Sequence, residues 1–186
     1  VAIDIAYLIS NAGQYLTYCD SAAAPGLSDW IEQLVAESTG KNEVGRLPVV
    51  IESSMAAAGG DAFSIAFSGD ADLVITGELG EQFFLWEWVT ALVGAALEID
   101  PFNQPNVTEA KEQTSALLNE WKGVLPAFAG NAKDGAVEIF GEGSSTTVAL
   151  SGLISQIPAD GYIAVMAYLD RKDDAEIAQL RQILAS

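Results

Sequence analysis

The chain has 186 residues, long enough for a domain with a real core, and half of them are hydrophobic. Twenty-six acids stand against eight bases, a net charge of −18, with no histidine and one cysteine, Cys19. This balance excludes nucleic acid and anionic membrane surfaces as partners, because no Lys or Arg cluster is present to meet phosphates. It also excludes histidine-based triads, most zinc sites and a disulfide framework, and it fits a reducing, cytoplasmic setting. No apolar run reaches the roughly 18 residues of a membrane span, and no basic segment opens the chain as in a signal peptide.

Residues 1–19 read as a helix with Ile3, Ala6, Tyr7 and Leu8 on one side. They form an N-terminal helical segment, 1–20, ahead of a single domain over 21–186. After a break at 20–26, Ser28 caps a second helix that buries Trp30, Ile31, Leu34 and Val35 and ends at Gly40. Leu47–Ile51 is a short apolar strand, Gly59-Gly60 a turn, and 62–67 and 73–76 are further strands. A long apolar helix follows over 80–97. Its stripe of Phe83, Trp86 and Trp88 reads as core, and Glu87 within it reads as a buried carboxylate that needs a partner. Pro101 closes that segment. Then come a helix over 106–121, a strand over 136–140, a helix over 146–157, a buried central strand over 162–168 and a last helix over 173–184. Alternating strands and helices predict an α/β fold, a three-layer sandwich with a mostly parallel sheet between helices.

Two segments carry candidate chemistry. In Leu34-Val-Ala-Glu-Ser-Thr-Gly-Lys41, Glu37 falls in the last turn of its helix. A carboxylate at the negative end of the helix dipole is made more basic, which suits a general base. The plain alternative is a solvated glutamate at a helix end. In Ile99-Asp-Pro-Phe-Asn-Gln-Pro-Asn-Val-Thr-Glu-Ala-Lys111, a polar loop enters a helix capped by Asn106. The free N–H groups of such a start suit an oxyanion or phosphate, with Lys111 just beyond the first turn. The plain alternative is a capped helix with a surface lysine. Asn106-Val-Thr108 matches a glycosylation sequon by chance, Cys19 reads as buried and inert, and no acid pair has metal-ligand spacing.

These two segments resemble glucose-6-phosphate isomerase. Glu37-Ser-Thr-Gly-Lys41 is similar to the Glu-Ser-x-Gly-Lys of the bacterial family, whose Glu is the catalytic base. The stretch from Trp86 to Lys111 resembles the family's long helix, its Asn-x-Phe-Asp-Gln and the Lys seven residues later, which map onto Gln104 and Lys111. Phe102-Asn-Gln-Pro-Asn-Val107 resembles the branch in which the isomerase is fused behind a transaldolase. The similarity covers about residues 28–122 and continues more weakly beyond.

The resemblance implies the second of two sugar-isomerase (SIS) domains, with the phosphate held chiefly by the first. It also implies a strand between Asp20 and Pro25 and a helix between Asp72 and Leu73, where this sequence is short. The implied reaction interconverts glucose 6-phosphate and fructose 6-phosphate through an enediol, without a cofactor or a metal. Glu37 is then the base, and Lys111 stabilises developing negative charge. Gln104 and Asn106 meet the substrate, while Ser38, Thr39 and Gly40 shape the turn that aims Glu37. The implied partners are the sugar phosphate and a second copy in a homodimer. The histidine that opens the sugar ring in the family has no counterpart here. A non-catalytic SIS module for phosphosugar binding or dimerisation is therefore the rival reading.

Overall fold

A break at Asn11-Ala-Gly13 divides what reads as one helix. The computed structural model describes residues 1–51, 61–159, 161–170, 173 and 179–185. In it α1 runs over Ala2–Asn11 and β1 over Tyr15–Cys19. This corrects the expected helix to Cys19 and the separate helical segment to residue 20. The reason is local: Tyr15-Leu-Thr-Tyr-Cys19 is rich in aromatic and β-branched residues, which favour a pleated strand. Between Asp20 and Pro25, where the resemblance implies a strand, the chain turns and forms none. Arg46 closes the end of α1, donating from Nε to the Ile9 carbonyl at 3.1 Å and from Nη2 to that of Ser10. A cation there suits the negative end of the dipole.

β1 pairs in parallel with β2 (Leu47–Val50), Tyr15 opposite Leu47, and with β3 (Phe63–Ala66), Leu16 opposite Phe63. β3 pairs in parallel with β4 (Leu73–Val74), so the order is β2-β1-β3-β4. Leu16, Tyr18 and Ile65 on one face are fully buried, and Thr17 and Ala66 on the other are only 4% and 1% exposed. Both faces of the sheet's centre are therefore covered. The protein is α/β with an all-parallel sheet, consistent with a three-layer sandwich. The expected Gly59-Gly60 turn lies outside the described residues.

Parallel neighbours ordinarily need a dozen or more connecting residues. β3 and β4 are joined by residues 67–72 alone, with no helix at the place where the resemblance implies one. Asp72 ties this short return: its carboxylate accepts from the Ser64 N–H (2.8 Å) and hydroxyl (2.6 Å), and its own N–H donates to Ser64 Oγ (2.9 Å).

α2 (Leu27–Thr39) is capped from a distance. The Asp20 carboxylate accepts from the N–H groups of Gly26 and of Ser28, the latter at 2.7 Å. Gly26 holds the N-cap position, the Asp20 carboxylate supplies the capping bonds, and Ser28, expected as the cap, already lies inside the helix with its side chain buried. α3 (Leu79–Ala96) opens on a capping box between Glu78 and Glu81. Its Trp86 is fully buried and meets Tyr18 edge-on at 5.5 Å and Phe67 at 6.3 Å. α1 and α2 pack against α3 through the same core, with Ile5, Ile9, Ile31, Val35, Val89 and Val93. Burial also pushes the Tyr18 phenol pKa far up, so this side chain stays neutral.

Only part of the aromatic stripe joins that core. Phe83 is 37% and Trp88 54% exposed, and Glu87 is exposed rather than buried. Trp88 sits roughly 200° around the helix from Trp86, so one cannot face the sheet with the other. No helix among the described residues is long and apolar enough to cross a membrane.

The chain forms two compact units, Val1–Lys111 with Ala175–Ser186, and Glu112–Asp174, where the sequence reading expects one domain from residue 21. α4 covers Pro105–Trp121. In the second unit β5 (Ala132–Asp134) and β6 (Val137–Ile139) make an antiparallel hairpin. α5 (Thr146–Ser155) follows, with Ser145 Oγ accepting from the Val148 N–H and Asp134 from the Thr146 N–H. The expected central strand over 162–168 is not formed, and these residues are exposed. An apolar run reports a demand for burial, whereas a strand exists only where another offers its N–H and C=O groups. α6 (Gln179–Ala185) takes up the end of the expected last helix; residues 174–178 lie outside the described set.

Two predictions test this packing. Trp86→Ala is expected to lower unfolding free energy by about 3–5 kcal/mol, measured by denaturant titration. The Ser64 bonds hold the Asp72 carboxyl below the usual range. Its contribution is complete above about pH 4 and is lost as pH falls through the lower folded value. The stability gap between wild type and Asp72→Asn is therefore expected to be present at pH 7 and to close in acid.

Candidate functional site

The C-terminal end of α2 and the loop after α3 meet around Glu37. Thr39 Oγ1 donates back to the Val35 carbonyl at 2.8 Å and is fully buried, while the Gly40 N–H closes the helix on Ala36. The chain then reverses over Lys41-Asn-Glu-Val44. The Val44 N–H donates to the Lys41 carbonyl at 3.2 Å, with Asn42 at φ 54° and Glu43 at φ 61°. Positive φ at both central residues is the mark of a type I′ turn. Gly45 makes the reversal tight: a Cβ there would lie 2.5 Å from the Thr39 carbonyl oxygen.

The facing loop is set by the end of α3. The Ile99 N–H donates to the Gly94 carbonyl (3.0 Å) and the Glu98 N–H to that of Ala95 (3.3 Å), with Glu98 at φ 56°. This is a Schellman ending in which a glutamate occupies the left-handed position that glycine favours. Ile99 buries beside it, and Pro101 rides on Gly94, where a Cβ would come within 2.9 Å of the proline ring. Asp100 Oδ1 accepts from the Phe102 N–H at 2.9 Å. Pro105 then starts α4, a position suited to its fixed φ and missing N–H.

Three side chains join the two segments. Lys41 Nζ donates to the carbonyl oxygens of Asp100 (2.7 Å) and Asn103. Gln104 Nε2 donates to Glu37 Oε2 at 3.1 Å, and Asn106 Nδ2 to the Gly40 carbonyl at 3.1 Å. The second oxygen of Glu37 accepts from Gln33 Nε2, also at 3.1 Å. The result is an exposed carboxylate with one amide on each oxygen.

Of the residues singled out in the sequence, Glu37 and Gln104 touch, and Gly40 and Asn106 bridge the same two segments. Helix α4 begins one residue before Asn106, whose side chain is committed to Gly40. Ser38 is half-buried, and the Thr39 hydroxyl points inward. Lys111 is exposed on α4, about 9 Å along the axis from Pro105, and its amino group bonds to no described residue. Sequence reading assigned no role to Gln33, although its i,i+4 spacing to Glu37 on one helix is the available signal. It also passed over Lys41 as a site residue, since nothing in the sequence says that this lysine is buried. Cys19, on the end of β1, is half-buried; burial and then the Asp20 charge raise its thiol pKa, which keeps it protonated.

Fold and site together define an α/β protein with a parallel sheet and a carboxylate–amide cluster at a helix end. No protein-family model and no curated protein matches the chain.

The strained ending of α3 gives a direct test. A non-glycine residue in the left-handed region costs about 1–2 kcal/mol, part of which glycine gives back through its freer unfolded chain. Glu98→Gly is expected to raise stability by about 0.5–1 kcal/mol in denaturant titration, and Glu98→Val to lower it.

Proposed function

We propose that this chain is the proton-transfer lobe of a sugar-phosphate aldose–ketose isomerase of the glucose-6-phosphate isomerase type. One observation carries the reading: the Glu37 carboxylate is held between Gln33 and a Gln104 that comes from a segment 67 residues away. A helix-end glutamate with only a solvated role needs no such bridge. The proton transfer asks for a single base that takes the C2 proton of the aldose and returns it to C1 of the enediol. The neutral amides orient the carboxylate without adding charge. A sugar hydroxyl entering beside Oε2 takes the place of the Gln104 amide there and gains that amide as its own donor. Lys41 is the cation built into this region. Its positive field favours the negative charge that develops on the enediolate oxygen. A binding or dimerisation module without catalysis is favoured by one observation: Lys111 is exposed and its amino group bonds to no described residue, Glu37 included.

Deuterium wash-in at C2 of glucose 6-phosphate tests the reading. In the intact parent protein, which also supplies the phosphate-holding lobe, exchange is expected with wild type, undiminished by a chelator, and reduced roughly 10²–10⁴-fold by Glu37→Gln. Equal exchange in the two proteins, or none in either, sinks it. Binding is expected to be weak in the lobe alone. A net charge of −18 repels a phosphate dianion. A helix start offers an exposed anion about 0.3–1 kcal/mol, against the roughly 4 kcal/mol behind millimolar affinity. Calorimetry with fructose 6-phosphate should show no saturation below millimolar concentration.

A further inference from the structure

We propose that Lys41 is the positioning residue of this site, its ammonium fixing the 100–104 loop so that the Gln104 amide reaches Glu37. The inference rests on Glu37 and Gln104 being the working pair. Lys41 is 7% exposed and is the one buried charged side chain among the described residues. Its bonding partners are the Asp100 and Asn103 carbonyls. Desolvating an ammonium is costly, so a buried one is retained only where its hydrogen bonds hold. Because the acceptors are backbone atoms, the lysine fixes the path of the loop whatever side chains the loop carries.

The other restraints leave this task undone. Pro101 on Gly94 and the Asp100 turn act at 100–102. Only the bond from Lys41 to Asn103 reaches the residue before Gln104. On the far side the Gln104 carbonyl accepts from the Thr108 N–H at 3.3 Å and hydroxyl at 3.4 Å, which ties it to the start of α4, and Asn106 bonds Gly40, the neighbour of Lys41. Gln104 thus opens α4, and two bridges, one on either side of it, tie that start to consecutive residues at the end of α2. The bridge from Lys41 is the charge-assisted, buried one; that from Asn106 is exposed.

Two measurements on the 186-residue chain test this without turnover. In the first, the Gln104 side-chain amide is followed by NMR. Glu37→Gln is expected to shift it in wild type. In Lys41→Met, which keeps the stem and removes the donor, the resonance moves to that of an exposed glutamine and no longer responds to Glu37→Gln. Lys41→Arg restores the response. A folded Lys41→Met whose Gln104 amide is unmoved overturns the proposal. In the second, which serves even if Lys41→Met does not fold, native wild type is acylated with an amine-reactive reagent and mapped by mass spectrometry. Lys41 is expected to react at least about tenfold more slowly than the exposed Lys111 and Lys122, because reaction requires local opening. Equal rates overturn the proposal. Failure here leaves the exchange assay on Glu37 standing, and failure there leaves these readouts unaffected.

Discussion

The seating of Trp86 against Tyr18 and Phe67 is the contact on which the first unit turns. It sets α3 against the centre of the sheet, and α1 and α2 then pack against a helix whose position is already determined. The polar tips of Trp86 and Tyr18 are buried with no hydrogen-bond partner among the described residues. A buried unsatisfied polar group costs about 1–3 kcal/mol, comparable to what burying a large side chain contributes. Edge-on packing of the rings is therefore not a surplus but the term that keeps this arrangement favourable.

From that seat the rest of the site follows by short steps. α3 ends where its Schellman turn ends, and Gly94 leaves room for Pro101 to fold back over it. The loop then runs under the end of α2, where Lys41 takes its carbonyls. Both flanks of the region hold glutamates in the left-handed conformation, Glu43 and Glu98. Strain of this kind persists only where its surroundings over-determine the backbone. Here the surroundings are a buried ammonium on one side and a buried isoleucine with a seated proline on the other.

Charge and local geometry work at different ranges. A chain at −18 presents a repulsive field to any anion at a distance. At Glu37 itself the contacts are two neutral amides, from Gln33 and Gln104.

Much of this architecture was legible in advance. The helical spacing of Ile31, Leu34 and Val35, the β-rich run at Leu47–Ile51 and the placement of Gly40 and Pro101 located α2, β2 and the loop before α4. Glu37 stood out as a candidate base by its place in the last turn of a helix, with a solvated glutamate as the alternative, and Gln104 entered only through the resemblance to the isomerase family. The helix of α1 and the strand of β1 merged into one helix, because apolar spacing alone does not mark a break that only pairing on both edges makes necessary. The run at 162–168 misled for the converse reason, being strand-like in composition but paired with no strand among the described residues. The sequence by itself determined which elements alternate, which residues can act as acid, base or donor, and what charge surrounds them, since these depend on local composition. Only the tertiary structure decided that Gln104 meets Glu37 and that Lys41, not Lys111, is buried and bonded to the loop that carries Gln104, because burial and contact depend on segments some sixty residues apart being brought together.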